Sequence, residues 1–310
     1  MMPDKRPGLH TIVRAPGLIA TFFPLVIGTA AAVIITGEFR PMGAFFAALV
    51  GISLHLSMNV YNDIYDTRQG SDTLESSECF FSGGSGVLIT NPELESMMFR
   101  IARSGMIVGL LGTMGLVLIS ETKFWPIFVL VFLIAAFLSK YYTAAPVALS
   151  YRGMGEVAVF IAFGPLAILL AAASQGIVWE PLLLIMMPIT GIVTLIVTLN
   201  GQIVDLPFDI KANKTGLVIL IGLRRALHLS AILCLVLVAN LLLVAYLLPN
   251  GYSLILFMIP FVITLIMAFR YLYGDLDRSD ILKKGTGLLF TSMVLCAISI
   301  MAGFIFVLLS

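Results

Sequence analysis

Charge is scarce in this chain: only 11% of its 310 residues are Asp, Glu, Lys or Arg, against 60% hydrophobic, and the mean hydropathy is +1.06. That balance excludes an ordinary water-soluble domain, whose core needs no such apolar surplus. Cysteine and histidine are scarce too, at three each. Cys79, Cys234 and Cys296 lie far apart with no paired spacing and no companion histidine cluster, which excludes a disulfide framework or a zinc site; they are expected to be reduced and structural. His10, His55 and His228 occur singly, without metal-ligand spacing, and are read as structural. The glycine-rich run Gly83-Gly84-Ser85-Gly86 lacks the lysine of a phosphate-binding P-loop and is read as a flexible supporting loop.

What is present is a series of long apolar runs. A helix rising about 1.5 Å per residue needs roughly 20 apolar residues to cross a bilayer core. Seven windows free of charge approach that length: Ala15 to Gly37, Pro41 to Asn62, Ser104 to Ser120, Phe124 to Ser139, Val157 to Trp179, Pro181 to Val204 and Gly285 to Ser310. An eighth, Ala226 to Phe269, is too long for one span and carries the turn signal Pro249-Asn250-Gly251, so it splits in two. Nine spans result. The third and fourth windows are short, and their boundaries are expected to extend through Arg100, Arg103 and Lys140, whose heads can snorkel. The first run is longer than the apolar stretch of a signal peptide and is expected to be retained.

Nine spans put the N-terminus and the loops after spans two, four, six and eight on one face. Sixteen of the 18 basic residues fall there, leaving Arg40 and Lys123 opposite. The positive-inside rule makes that face, and the N-terminus, cytoplasmic. Of the 17 acidic residues 14 share it, the exceptions being Glu38, Glu121 and Glu180, so the chemistry is expected there.

At the end of span two the sequence reads NVYNDIYDTRQGSD, with Asn59, Asn62, Asp63 and Asp66 at helical spacings that share one face. At the end of span six it reads NGQIVDLPFDIKANKT, with Gln202, Asp205 and Asp209 spaced likewise. Pro207 lacks an N–H and disfavours helix at Leu206, so a kink between the two aspartates is expected. Both motifs reach the same face. Carboxylate and amide oxygens are the hard ligands magnesium prefers, and magnesium fills its remaining sphere with phosphate oxygens and water. A diphosphate bridged by such ions is the natural guest of two sparse acidic clusters. Either cluster alone would be an ordinary solvated helix end; the pair argues for function.

These residues resemble the UbiA-type intramembrane prenyltransferases, whose signatures follow the second and sixth helices. Arg14-Ala15-Pro16 looks like that family's start, and YTAAPVALSYRGMGEVAVFIAFGP, from Tyr142 to Pro165, is similar to a stretch of its menaquinone branch. The spacing N-x-x-N-D-x-x-D-x-x-x-G-x-D, ending at Asp72, also resembles that branch, the 1,4-dihydroxy-2-naphthoate polyprenyltransferases. Two departures are the segment SGGSGVL, Ser82 to Leu88, which lacks an arginine often found there, and Asn213, where many members have Gly.

The resemblance implies an all-α integral membrane fold: a single domain over residues 1–310, nine transmembrane helices ringing a central cavity, and cytoplasmic cap loops at about 63–99, 205–225 and 271–286. It implies an enzyme that transfers a polyprenyl group, geranylgeranyl or longer, from its diphosphate to a small aromatic acceptor. Asn62, Asp63, Asp66, Asp205 and Asp209 are the expected ligands of two Mg2+ ions, with Asn59 and Asp72 in support. Arg14, Lys140 and Lys214 are candidates for diphosphate contacts, the alternative being membrane anchoring. Glu156 is a candidate for orienting the acceptor or taking its proton, against a pairing with Arg152. Tyr142 is a candidate substrate contact, against a place in the interfacial aromatic belt with Tyr141. The bilayer is an expected partner and nucleic acid is not. The same fold could serve an isoprenoid glycerol phosphate, a hydroxybenzoate or a tetrapyrrole. A transporter of cations or organic phosphate is the competing class, but its acids would sit near mid-membrane rather than at helix ends.

Overall fold

The structure, a computed structural model, describes residues 7–73, 84–248, 250–274 and 279–310, the side chains of 279–281 excepted. Cys79, Ser82, Gly83 and Pro249 lie outside the described residues. Among the described residues nine helices are long and apolar enough to cross a membrane: α1 Ala15–Thr36, α2 Pro41–Gln69, α3 Pro92–Ile119, α4 Thr122–Tyr141, α5 Gly155–Ser174, α6 Pro181–Lys211, α7 Leu223–Leu247, α8 Tyr252–Leu272 and α9 Leu282–Leu309. The split of the longest apolar run falls where the turn signal put it, between α7 and α8.

Hydropathy locates the helices well and their ends less well, because a charge-free window stops at the first charge while the helix continues into the interface. Thus α3 begins at Pro92 rather than Ser104, carrying Arg103 over the ring of Phe99. Likewise α2 and α6 run past 63 and 205, the expected starts of two cap loops, to Gln69 and Lys211. Asp63, Asp66, Asp205 and Asp209 are therefore helical. Helix α6 also passes through Pro207 without interruption.

Each helix packs against its neighbour in sequence, and α9 returns to α1, closing a ring. One apolar core joins α1 to α6–α9 through Ile27, Met186, Leu237, Phe261 and Phe304; another joins α1–α5 through Leu25, Val50, Phe128 and Leu170. Outward-facing residues such as Leu118 and Leu235 are apolar and exposed, as lipid contact requires. On the face opposite the motifs, a Cβ at Gly43 would lie 2.1 Å from the Ser174 carbonyl oxygen, so only glycine lets α2 and α5 approach. There the buried Gln175 side chain accepts from the Arg40 N–H at 2.8 Å and donates to its carbonyl.

Helix α5 is not regular. Residues Ala162–Leu166 form a π-turn containing Pro165, whose missing N–H cannot complete an α-helical bond. Phe163 on this turn meets His55 of α2 edge-on at 5.0 Å, and His55 is hydrogen-bonded to Thr21 of α1 at 2.7 Å. Cys234 and Cys296 are free and buried.

Candidate active site

The motif-bearing end of α2 is shaped by how the helix stops. Gly70 adopts φ 78°, the left-handed conformation that glycine takes without a Cβ penalty. The chain then folds back, with the Ser71 N–H donating to the Asp66 carbonyl at 3.0 Å and the Asp72 N–H to the same oxygen at 3.3 Å. Asp72 thereby joins Asp63 and Asp66 in one buried patch. Gly84 closes over it: a Cβ there would stand 1.7 Å from Asp72 Oδ2, so the glycine loop packs directly on the motif.

The end of α6 is shaped in the same manner. Asp205 and Asp209 stand one turn apart on a continuous helix, and beyond it Asn213 has φ 54°. Asparagine is among the few residues besides glycine that tolerate this conformation, so it can serve at this turn. The reversal sends Lys214 back: its N–H donates to the Asp209 carbonyl at 3.0 Å. A parallel bridge between Arg152 and Thr215 holds this loop against the one following α4.

The two motifs meet through Lys214. Its Nζ lies 3.3 Å from Asp66 Oδ2 and 3.7 Å from Asp209 Oδ1, ion-pairing residues from opposite halves of the chain. Burial alone would lower the Lys214 pKa, but the Asp66 and Asp209 carboxylates outweigh it and hold the ammonium charged. Asp72 makes no ion pair among the described residues, and the Arg14 and Lys214 charges only partly offset what raises its pKa. Burial first, then the Asp66 and Asp63 charges, push its pKa up to about 8.

Counting lone pairs shows what this arrangement leaves open. A carboxylate offers about four acceptor sites, two per oxygen. In Asp63, Oδ1 takes Arg14 Nη1 at 3.5 Å and the Ser85 N–H at 3.2 Å, while among the described residues buried Oδ2 takes no hydrogen bond. In Asp209, Oδ1 takes Ser71 Oγ at 3.2 Å besides Lys214; among the described residues Oδ2 meets no donor. In Asp66, Oδ2 takes Asn62 Nδ2 at 3.0 Å and Lys214, and Oδ1 takes the Tyr151 hydroxyl at 2.8 Å. Among the described residues the buried Asn62 Oδ1 and Asp72 Oδ2 also accept no hydrogen bond. Buried acceptors left this way are costly unless something else fills them.

Magnesium suits these vacant edges. Among the described residues no three His, Cys, Asp or Glu side chains stand close enough to hold an ion alone. Magnesium usually takes only one or two carboxylates and completes its shell with phosphate oxygens and water.

The other expected residues divide. Arg14 reaches the cluster, and Asn59 Nδ2 donates to the Val13 carbonyl at 3.2 Å, tying the segment that carries Arg14 to α2. Glu156 is 4% exposed and does not pair with Arg152, whose guanidinium goes to the Pro146 carbonyl. Instead Oε1 accepts from Gln202 Nε2 and from the Leu217 N–H, while among the described residues Oε2 takes no hydrogen bond. Tyr142 lies between the clusters: burial raises its pKa, the Lys214 charge opposes this and the Glu156 charge adds to it. Lys140 is not brought to the carboxylates; its Nζ lies 5.1 Å from the Tyr141 ring centroid. Ser71 and Tyr151 were not among the expected residues. No spacing rule marks them, since both are aimed by turns.

Membraneward of the motifs, a cavity of about 60 Å³ opens between α1, α2, α4 and α5, lined by Leu54, Met58, Leu138, Phe163 and the His55–Thr21 pair. Apart from that pair and Ser139 its lining is apolar.

Residues 21–294 match the UbiA prenyltransferase family. The chain is 25% identical over 228 residues to the 2-carboxy-1,4-naphthoquinone phytyltransferase of Synechocystis sp., covering 72% of this chain and 70% of that one. It is equally 25% identical over 225 residues to the 1,4-dihydroxy-2-naphthoate octaprenyltransferase of Bacillus subtilis, covering 72% and 68%. In fold it is similar to a UbiA homolog from Archaeoglobus fulgidus bound to GPP and Mg2+, with TM-score 0.68 at 15% identity over 97% of this chain and 99% of that one. The apo UbiA homolog from Aeropyrum pernix K1 gives TM-score 0.66 at 17% identity over 93% and 98%. The chain belongs to the UbiA prenyltransferase family: it is a multi-pass integral membrane enzyme that transfers prenyl groups.

Proposed function

We propose that this enzyme is magnesium-dependent and transfers a polyprenyl group, geranylgeranyl or longer, to 1,4-dihydroxy-2-naphthoate in menaquinone biosynthesis. The observation that carries the reading is the meeting of Asp66 and Asp209, one from each motif, on either side of Lys214. Two naphthoate-type transferases among the relatives support the acceptor.

Asn62, Asp63 and Asp66 would hold one Mg2+ and Asp205 and Asp209 a second, with Asn59 and Asp72 behind them. When bound, the ions would neutralise charge on the diphosphate as it departs. Arg14 and Lys214 bind its remaining oxygens. The C–O bond of the prenyl diphosphate breaks beside the motifs, and the apolar side chains of Leu54, Met58 and Phe163 next to them keep water from the allylic cation. An electron-rich carbon of the acceptor attacks. Tyr142 orients the ring, and Glu156 Oε2 takes the proton displaced from the attacked carbon; that proton replaces the acceptor's carboxylate, which leaves as CO2, to give the naphthoquinol, while diphosphate is released. The sixteen-to-two distribution of basic residues supports a cytoplasmic site and N-terminus.

Purified protein given geranylgeranyl diphosphate and a panel of acceptors tests the reading. Prenylated naphthoquinol formed only with magnesium is the expected product. Preference for a hydroxybenzoate or a glycerol phosphate would overturn the acceptor, and turnover in chelator would overturn the metal. Glu156→Gln keeps an oxygen for Gln202 and Leu217 but removes the base, so kcat should fall by about a hundredfold or more while prenyl diphosphate affinity holds. A drop in affinity with kcat preserved would remove Glu156 from the chemistry.

A further inference from the structure

Ser71 and Tyr151 each address a carboxylate in a motif to which neither belongs by spacing. Ser71 leaves the first motif's helix but donates to Asp209 of the second, at 3.2 Å. Tyr151, from the loop after α4, donates to Asp66 of the first, at 2.8 Å. Neither placement is casual. Ser71 is 5% exposed and aimed by the left-handed Gly70 and by its own N–H bond to the Asp66 carbonyl. Tyr151 ends a tight turn that starts from Ala148 at φ 45°; the Ser150 N–H bonds the Tyr142 carbonyl at 2.8 Å, and the Arg152–Thr215 bridge follows.

An aspartate at a helix end can turn about two side-chain dihedrals and present either oxygen. A second donor on a fixed turn removes that freedom. With Ser71 and Lys214 on Asp209 Oδ1, the Oδ2 edge is what remains; with Asn62 and Lys214 on Asp66 Oδ2 and Tyr151 on Oδ1, one acceptor site of Oδ1 remains. We propose that Ser71 and Tyr151 are positioning residues of the transferase, each holding one motif's carboxylate so that a single edge faces the ions, and that neither touches substrate. This rests on the magnesium reading above. Partners behind metal-binding carboxylates act on affinity for the ion, because they set the orientation of the binding group before the ion arrives.

The test uses full-length protein in detergent carrying Tyr151→Phe, Ser71→Ala or Ser71→Thr. Magnesium binding is measured by calorimetry in the presence of an unreactive prenyl thiodiphosphate, alongside the magnesium dependence of turnover. Tyr151→Phe and Ser71→Ala should each weaken magnesium binding by about 10- to 100-fold, leave kcat at saturating magnesium nearly unchanged, and leave the unfolding temperature close to wild type. Ser71→Thr, which keeps the hydroxyl, should restore affinity. Unchanged affinity in the first two variants, with wild-type binding intact, overturns the positioning role alone. So does a loss of kcat that magnesium does not rescue. Failure of the wild-type protein to bind magnesium overturns the metal reading and this proposal with it.

Discussion

Asp66→Ala and Asp209→Ala should each lower kcat/KM for prenyl transfer by about a hundred- to a thousandfold, and the double variant should be little worse than either single one. The two residues lie 143 positions apart in sequence yet share one ammonium. A diphosphate spanning both motifs needs both at once, so once either is gone the other has lost its purpose. Residues that act as a unit give losses that do not multiply. A lipid-facing substitution such as Leu235→Ala should leave the rate unchanged, separating loss of the site from loss of the fold. Product formation by chromatography, with prenyl diphosphate affinity measured alongside, decides the matter. Losses that multiply in the double variant would mean that the motifs serve separate ligands.

Lys214→Met should produce the second large effect, and its sign depends on magnesium. Without the ion, the variant leaves Asp66 and Asp209 facing one another with no cation between them. Removing one partner of a buried ion pair costs about 3–5 kcal/mol, and both aspartates are buried. The metal-free variant should therefore unfold at a clearly lower temperature than wild type. Added magnesium should raise that temperature more in the variant than in wild type, because the ion no longer competes with an ammonium for the same oxygens. Prenyl diphosphate affinity should fall in the variant at any magnesium concentration, since a phosphate contact is lost. Equal magnesium-induced shifts in the two proteins would show that Lys214 and the ion do not share these carboxylates.

Much of this architecture is legible in the chain because the bilayer imposes a simple rule. Length and apolarity find the nine spans seen among the described residues, and parity places Asn59 to Asp72 and Asn200 to Thr215 at one face. Helical spacing then puts Asp63 with Asp66, and Asp205 with Asp209, without any structure. What spacing cannot give is where a chain points after a helix ends. Ser71 depends on Gly70 turning left-handed, Tyr151 on a turn begun by Ala148, and Lys214 on Asn213. Rotation about a helix axis is equally hidden. Lys140 has the right depth in the membrane, yet packing of α4 turns it toward Tyr141, whereas Glu156 at a similar depth faces Gln202. Position along a helix comes from counting residues; direction around it comes from neighbours far away in sequence.

The π-turn in α5 makes that last point concrete. It holds one residue more than an α-helical turn would, so the half of α5 before it and the half after it are out of phase. Removing any single residue from Ala162–Leu166 would put the halves back in phase and swing the Glu156 end by about 100°, away from Gln202 and Leu217. Exchanging one side chain there for another of similar size would not. In this stretch of the enzyme the number of residues thus carries a constraint of its own, apart from their identity, much as a reading frame is a constraint apart from any one codon.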